Sequence, residues 1–168
     1  MATFKVINRR GQFLDSNSYR DAVNYICQLE KVKTSMNILT GGVLPDYPVE
    51  SMEFIAAQHR QCKGRRLIHS ELAFDPQKEK HITPGLARHI AQALIDYIED
   101  EYQIVAAIHE DTDHLHIHFV MSTVNIKTGR KYRGTKKDYY DLCNHLCRVA
   151  KKYGVKVIPL SNKEDVSA

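Results

Sequence analysis

Several features that mark other protein classes are missing from this 168-residue sequence. No apolar run approaches the roughly 18 residues of a membrane-spanning helix, and the opening MATFK is not followed by the apolar core of a signal peptide. The four cysteines form no CxxC pair, so we expect reduced thiols rather than a disulfide framework or a zinc ribbon. We therefore expect a cytoplasmic protein without membrane contact.

A strong charge imbalance is also absent. The formal net charge is +4 and the isoelectric point is about 8.8, so a nucleic-acid surface would require local clustering of basic residues. The chain is 43% hydrophobic, enough for one core but short for two domains. We expect a single domain over residues 1–160 and a polar tail over residues 161–168.

Hydrophobic periodicity and turn residues predict an alternation of strands and helices. The predicted strands are 4–8, 67–74, 102–108, 115–124 and 155–158, with a short basic strand near 130–133, and the predicted helices are 19–30, 49–62, 84–100 and 136–153. Residues 32–48 contain two glycines and two prolines and are predicted to be a loop. Because strands 102–108 and 115–124 are joined by a short connection, we expect an α/β (α+β) sandwich with a largely antiparallel central sheet and flanking helices.

An unusual stretch, HEDTDHLHIHFV, lies between these two strands and holds four of the nine histidines. Side chains alternate along a strand, so His114, His116 and His118 can share one face while apolar residues occupy the other. His109, at the end of the preceding strand, can supply a further ligand across the hairpin. Neutral imidazoles spaced in this way can converge on a divalent ion, and Asp111 can orient one of them. A polar strand face, or histidines satisfied by hydrogen bonds, is the alternative.

The same stretch resembles the third motif of conjugative relaxases, of the HUH endonuclease superfamily. The pattern His-x-Asp, four residues, His-x-His is followed by HFVMSTVN and KTGRKY, which look like relaxases of the MOBP type. The resemblance covers the chain from about residue 4 to 153. It implies a metal cage of His109, His116 and His118 for Mg²⁺ or Mn²⁺, and it makes His114 a bystander or a DNA contact.

The family places a nucleophilic tyrosine on an N-terminal helix, in a motif like A-x-x-Tyr-Ile followed by a lysine. The segment AVNYICQLEK matches this motif, which makes Tyr25 the candidate nucleophile and Tyr19 the reserve. A tyrosine hydroxyl has an ordinary pKa of about 10 and needs help to lose its proton at neutral pH. Taken without the resemblance, Tyr25 could equally be a packing residue.

Two positions depart from the family pattern. Where the family's second motif usually reads Ser-Phe-x-Pro, this chain has Ala73-Phe74-Asp75-Pro76, and Ser122 stands where asparagine is frequent. Both positions are expected DNA contacts. Glu71, with His69 two residues away on the same strand face, could add a polar or acid/base function, and a surface pair is the alternative.

Basic residues cluster in two places, and we predict that they contact DNA phosphates, with the aromatic residue among them stacking on an unpaired base. An ordinary solvated surface is the alternative for a basic run. The predicted DNA-binding residues are Lys31, Arg65, Arg66, Lys127, Arg130, Lys131, Tyr132, Arg133 and Lys136.

The sequence therefore predicts a relaxase that nicks single-stranded or hairpin DNA at the transfer origin of a plasmid or integrative element. The resemblance implies a 5′-phosphotyrosyl intermediate that permits religation, and accessory relaxosome and coupling proteins as partners. Two alternatives remain: a relaxase-like module that binds DNA and recruits partners without cleaving, and a metal-dependent hydrolase that uses water. Since relaxases usually carry C-terminal regions, the resemblance implies either a catalytic fragment or an unusually short form.

Overall fold

The central feature of the computed structural model, which describes residues 1–160, is one six-stranded sheet with the order β2-β4-β5-β3-β1-β6. Every neighbouring pair is antiparallel except β1 and β6. This confirms the predicted α/β architecture with a largely antiparallel sheet. The strands are β1 Ala2–Val6, β2 Ile38–Gly41, β3 Leu67–Ala73, β4 Tyr102–His109, β5 His116–Asn125 and β6 Val157–Leu160.

Helices cover both faces of the sheet and divide the core in two. The helices are α1 Ser18–Ile26, α2 Leu29–Val32, α3 Pro48–Gln58, α4 Pro84–Ile98 and α5 Lys136–Lys151, with a 3-10 turn at Ser35–Asn37. One core joins α4 and α5 to one face of the sheet, and a second, smaller core joins α1 and α3 to the other. No helix within residues 1–160 has the length and apolarity needed to cross a membrane.

The two longest helices begin at strong sequence signals. At α4, the hydroxyl of Thr83 accepts a hydrogen bond from the amide of Leu86, and Pro84 takes the first helical position. At α5, Thr135 and Asp138 form a reciprocal capping box. These caps satisfy amide groups that would otherwise lack partners at the helix start.

Strand β5 lies near the middle of the sheet and serves both cores. Ile117, Phe119 and Met121 point into the core under α4 and α5, whereas Val120 and Val124 point into the core under α1 and α3. This is the alternation expected of a strand that is covered on both sides. His116 and His118 share the face of Val120, at the start of the strand.

The predicted loop over residues 32–48 is wrong in part, because it contains the edge strand β2. Ile38 to Gly41 pair antiparallel with Ala107 to Ile104 of β4. The strand has four residues, of which the first three are only partly buried, so it offers too few side chains for a visible period. The pairing with β4 decides its structure.

The first helix is also shorter than predicted, since it ends at Ile26 rather than near Glu30. Cys27 caps the helix, and the backbone of Gln28 turns to an extended conformation before the single turn of α2. As a result, the last carbonyls of α1 become available to other groups.

Smaller differences occur near other element ends. Helix α3 ends at Gln58, ahead of Arg60 with its positive φ of 54°. The predicted basic strand is reduced to a single bridge between Val124 and Lys131, and β6 starts at Val157. The predicted tail over residues 161–168 lies outside the described residues.

Candidate active site

Three histidines meet where β4 ends and β5 begins. His109 is the last residue of β4 and pairs with His116 in the ladder, while His118 pairs with Ala107. One ring nitrogen from each of His109, His116 and His118 lies within 4.8 Å of the others, so the three have the geometry of a metal-binding group. These are the three residues that the sequence motif predicted as ligands.

The remaining ring nitrogens of two of these histidines are held by main-chain carbonyls. Nε2 of His109 donates to the carbonyl of Ile26 at 2.7 Å, and Nδ1 of His116 donates to the carbonyl of His114 at 3.0 Å. A carbonyl can only accept, so these contacts fix the tautomers. In the neutral ring of each histidine, this leaves the lone pair on Nδ1 of His109 and on Nε2 of His116, where an ion can bind.

The contact to Ile26 depends on the early end of α1. Within a longer helix, the Ile26 carbonyl would accept a bond from an amide one turn further on. Because the helix stops there, the carbonyl instead receives the proton of His109, which is 2% exposed. The shortened helix thus orients a candidate ligand that lies 83 positions away in the sequence.

His118 has a different neighbour, a fourth histidine from β3. Its Nδ1 lies 2.9 Å from Nε2 of His69, and its Nε2 lies 3.7 Å from a carboxylate oxygen of Glu71. His69 appeared in the sequence only as a neighbour of Glu71. Its contact with His118 depends on the pairing of β3 with β5, which the sequence does not reveal.

Burial favours the neutral form of three of these imidazoles, those of His69, His109 and His118. Burial lowers the pKa of His69 to about 4 and that of His118 to about 2, and it also lowers the pKa of His109. Only a neutral imidazole has a lone pair for a metal ion. The environment therefore favours the form of the histidines that can bind one.

Tyr25 lies beside the histidines, on the last turn of α1. Its side chain is 49% exposed, and its ring centroid lies 6.2 Å from that of His118 and 6.3 Å from that of His69. The ammonium group of Lys31, on α2, sits 3.4 Å above the centre of the Tyr25 ring. An accessible phenol, a cation and a group of imidazoles thus lie side by side.

Tyr19, the reserve nucleophile, has a buried side chain. It is 1% exposed, its hydroxyl is hydrogen-bonded to Ser122 at 3.1 Å, and burial raises its pKa. It belongs to the core under α1, which argues against the reserve assignment. Ser122, the partner of Tyr19 in this hydrogen bond, is itself fully buried and so does not lie on the protein surface.

Asp111 and His114 lie in the connection between β4 and β5. Asp111 Oδ1 is 4.0 Å from Nε2 of His116, which is too long for a hydrogen bond and is on the open side of the ring. The backbone of His114, and not Asp111, therefore orients His116. Asp111 instead faces the space that an ion bound to His116 would occupy.

A hydrogen-bond network that the sequence analysis missed braces the segment that carries Lys31. The amide of Glu110 donates to the carbonyl of Lys31 at 2.8 Å, and the carboxylate of Glu110 accepts from the buried Asn37. Arg88 of α4 in turn donates to Asn37 at 2.8 Å. These bonds tie α2 to the end of β4 and so help to hold Lys31 over Tyr25.

An open depression of about 400 Å³ lies over β1 and β3, beside the histidines. Glu71, 3.7 Å from His118, stands in its wall and also pairs with Lys5 at 3.2 Å. Ala73, Asp75 and Pro76 of the family's second motif line the depression, as does His114. The substituted motif position is therefore at the site, whereas Ser122 is not.

Most of the predicted DNA-binding residues lie at or beyond the opposite end of β5 from the histidines. Three of them have structural roles. Lys131 donates to the carbonyl of Arg65 at 2.7 Å, Arg66 is buried and donates to the carbonyl of Cys62, and the partly buried Tyr132 packs edge-on against Tyr102 at 5.4 Å. The side chains of Lys127, Arg130, Arg133 and Lys136 are exposed, and that of Arg65 is partly exposed.

Known proteins similar to this chain include relaxases, which is the family that the histidine and tyrosine motifs resemble. Residues 25–155 match the family model described as relaxase, MobA/VirD2-like, nuclease domain. The chain therefore belongs to the relaxase family, as the resemblance implied. It is similar to the protein rlx of Staphylococcus aureus, with 24% identity over 84% of this chain and 38% of that protein. It is also similar to the group II intron-interrupted relaxase LtrB of Lactococcus lactis subsp. cremoris, with 27% identity over 84% of this chain and 27% of that protein.

The chain spans well under half the length of these two relatives. The part that matches is the nuclease domain, which contains both Tyr25 and the three histidines.

Proposed function

We propose that this chain nicks one DNA strand through Tyr25, at a divalent metal site formed by His109, His116 and His118. The observation that carries the proposal is the position of Tyr25. Its exposed ring lies 6.2 Å from that of His118, one of three histidines with convergent nitrogens. A phosphate placed between the tyrosine and the histidines would be within reach of both.

In the proposed reaction, Tyr25 attacks the phosphate and Lys31 lies beside its ring. The hydroxyl oxygen of Tyr25 forms a bond to the scissile phosphorus, and the bond from phosphorus to the 3′-oxygen breaks. The phenolic proton leaves to a base, and the departing oxygen takes up a proton. Lys31 places positive charge beside the ring that carries negative charge during the attack. The products are a 5′-phosphotyrosine and a free 3′-hydroxyl, and the reverse reaction reseals the strand.

The metal site fits a divalent ion because its three imidazoles are buried or partly buried, and two are fixed in the tautomers that binding requires. Such an ion would neutralise charge on the non-bridging oxygens of the phosphate. Mg²⁺ and Mn²⁺ are the proposed ions, and an all-imidazole set favours Mn²⁺ of the two, since Mg²⁺ prefers oxygen ligands. Asp111 faces the same space and would contact the water shell of the ion.

The proposed substrate is single-stranded or hairpin DNA at a transfer origin. The depression beside Glu71 and His114 gives an unpaired strand a path away from the histidines. The exposed basic residues beyond the far end of β5 would contact phosphates further along the DNA. Accessory relaxosome and coupling proteins are proposed as partners on the strength of family membership alone.

A covalent adduct tests the proposal. The protein is incubated with Mn²⁺ and labelled single strands that tile the DNA next to its own gene, and products are separated on a denaturing gel. We expect a labelled protein band whose modified residue, mapped by mass spectrometry, is Tyr25. Tyr25→Phe should abolish the band.

Tyr97→Phe is the matched control, because Tyr97 is 48% exposed but lies on α4, on the other side of the sheet. It should form the adduct like the unmodified protein. Cleavage with a free 5′-phosphate that survives Tyr25→Phe would instead indicate a hydrolase that uses water. Binding of the true origin strand without cleavage would indicate the recruitment module, which the alanine at position 73 motivates.

A further inference from the structure

The fourth histidine of the site, His69, lies outside the group of three candidate ligands. It is 6% exposed on β3, and its Nε2 is 2.9 Å from Nδ1 of His118. The His118 side chain is buried as well, so neither ring is expected to hold an extra proton in the folded protein. Two neutral rings at this distance share one proton in a single hydrogen bond.

The position of that proton decides whether His118 can bind an ion through Nε2. If His118 carries it on Nδ1, its Nε2 has a free lone pair. If His69 carries it on Nε2, the neutral His118 must hold its own proton on Nε2. There it would face the Glu71 carboxylate, 3.7 Å away, and could not coordinate.

The other two histidines have no such choice. His109 and His116 donate to main-chain carbonyls, which can only accept. His118 is the member of the group whose partner is a side chain that can either donate or accept. Its tautomer therefore depends on which nitrogen of His69 is protonated.

We propose that His69 is a positioning residue that accepts the Nδ1 proton of His118 and so presents Nε2 of His118 to the metal ion. The inference rests on the metal site of the proposed function. It assigns His69 no contact with the ion, because its Nε2 is occupied by the hydrogen bond. Partners of this kind typically change metal affinity about 10- to 100-fold when they are removed.

Mn²⁺ titration by calorimetry, without DNA, tests the role of His69. His69→Leu removes the acceptor and keeps an apolar side chain in the buried position, whereas His69→Gln keeps an amide oxygen at about the reach of Nε2. We expect His69→Leu to weaken Mn²⁺ binding by about 10- to 100-fold, and His69→Gln to recover most of the loss. His89→Leu, at an exposed position on α4, is the control and should bind Mn²⁺ normally.

A second measurement observes the proton itself and needs no variant. Two-bond ¹H–¹⁵N spectra of the ¹⁵N-labelled protein loaded with Zn²⁺, a diamagnetic probe, should show His118 protonated on Nδ1 and His69 unprotonated on Nε2. Coordination of His118 through Nδ1, or of His69 itself, would overturn the assignment.

The outcomes separate the two proposals. Unmodified protein that fails to bind either ion would overturn the metal site and, with it, the role of His69. Normal binding by the unmodified protein and by folded His69→Leu would overturn the role of His69 alone. Equal losses in the Leu and Gln variants would mean that His69 acts through packing, which also contradicts the inference.

Discussion

The two faces of strand β5 differ in their side chains: one face is apolar along its length, and the other begins with two histidines. Toward α4 and α5 the strand presents Ile117, Phe119 and Met121, all within the larger core. Toward α1 and α3 it begins with His116 and His118 before the apolar Val120. One face thus supplies apolar packing along its length, and this allows the other to desolvate imidazoles at one end.

The desolvation has a functional consequence. A histidine on an open surface would be partly protonated near pH 6.5, whereas burial lowers the pKa of His109, His118 and His69. Burying these side chains lowers stability, and it leaves their imidazoles neutral. Four predictions, in order of decreasing effect, test this difference between the two faces.

Loss of a large apolar side chain from the packing face should have the largest effect on folding. Phe119 is 1% exposed, and Phe119→Ala should lower the free energy of unfolding by about 3–5 kcal/mol. His116→Ala, on the other face and partly exposed, should cost far less. Urea denaturation followed by circular dichroism measures both, and equal losses would contradict the division of tasks between the faces.

Metal should stabilise the folded protein through the histidine face alone. At a Mn²⁺ concentration 100 times the dissociation constant, the free energy of unfolding should rise by about 2.7 kcal/mol. His116→Ala should remove most of this gain, while His145→Ala, on α5, should keep it. Thermal unfolding with Mn²⁺ and with EDTA gives the difference, and a gain that persists in His116→Ala would place the ion elsewhere.

Stability without metal should fall as the pH is lowered. His69 has a folded-state pKa of about 4, below its unfolded value of 6.5, so the unfolded chain binds the proton first. Its contribution is complete above pH 6.5 and is lost toward pH 4, amounting to about 2 kcal/mol by pH 5 for this residue alone. Urea denaturation in EDTA between pH 7 and 5 should give a flatter profile for His69→Gln. Parallel profiles would contradict the prediction.

Loss of the N-terminal cap of α5, a helix that packs on the apolar face of β5, should have the smallest effect on stability. It should leave adduct formation unchanged. Thr135→Ala removes the cap of α5 and should cost about 1 kcal/mol of stability. Thr135→Ser keeps the capping oxygen and should cost much less. Adduct yield with Mn²⁺ and substrate should be unchanged in both, and a loss of adduct would show that α5 supports the site as well as the core.

Much of the fold could be predicted from local patterns. The starts of α4 near Pro84 and of α5 near Lys136, and the hairpin of β4 and β5, are all confirmed, because each depends on residues close in sequence. Strand β2 and the end of α1 could not be predicted in the same way. β2 is stabilised by pairing with a distant strand, and the backbone turn after Ile26 carries no glycine or proline signal.

In the candidate site, too, features that depend on nearby residues were predictable, and features that depend on distant contacts were not. The spacing predicted that histidines converge across a short hairpin, and the resemblance to relaxases selected His109, His116 and His118 among them. Access to Tyr25 and the burial of Tyr19 were not predictable, since both lie on one short helix and only its packing separates them. The internal contacts of Lys131 and Tyr132 likewise appear only once their neighbours are known.

A histidine motif on adjacent strands and a tyrosine motif on a helix can both be identified in the amino-acid order alone. Which of their atoms meet depends on the tertiary structure. The Ile26 carbonyl orients His109, and β3 brings His69 to His118 across 49 positions of sequence. Local spacing in the sequence governs contacts within a hairpin or helix. Contacts between distant strands depend instead on how the whole sheet pairs and packs.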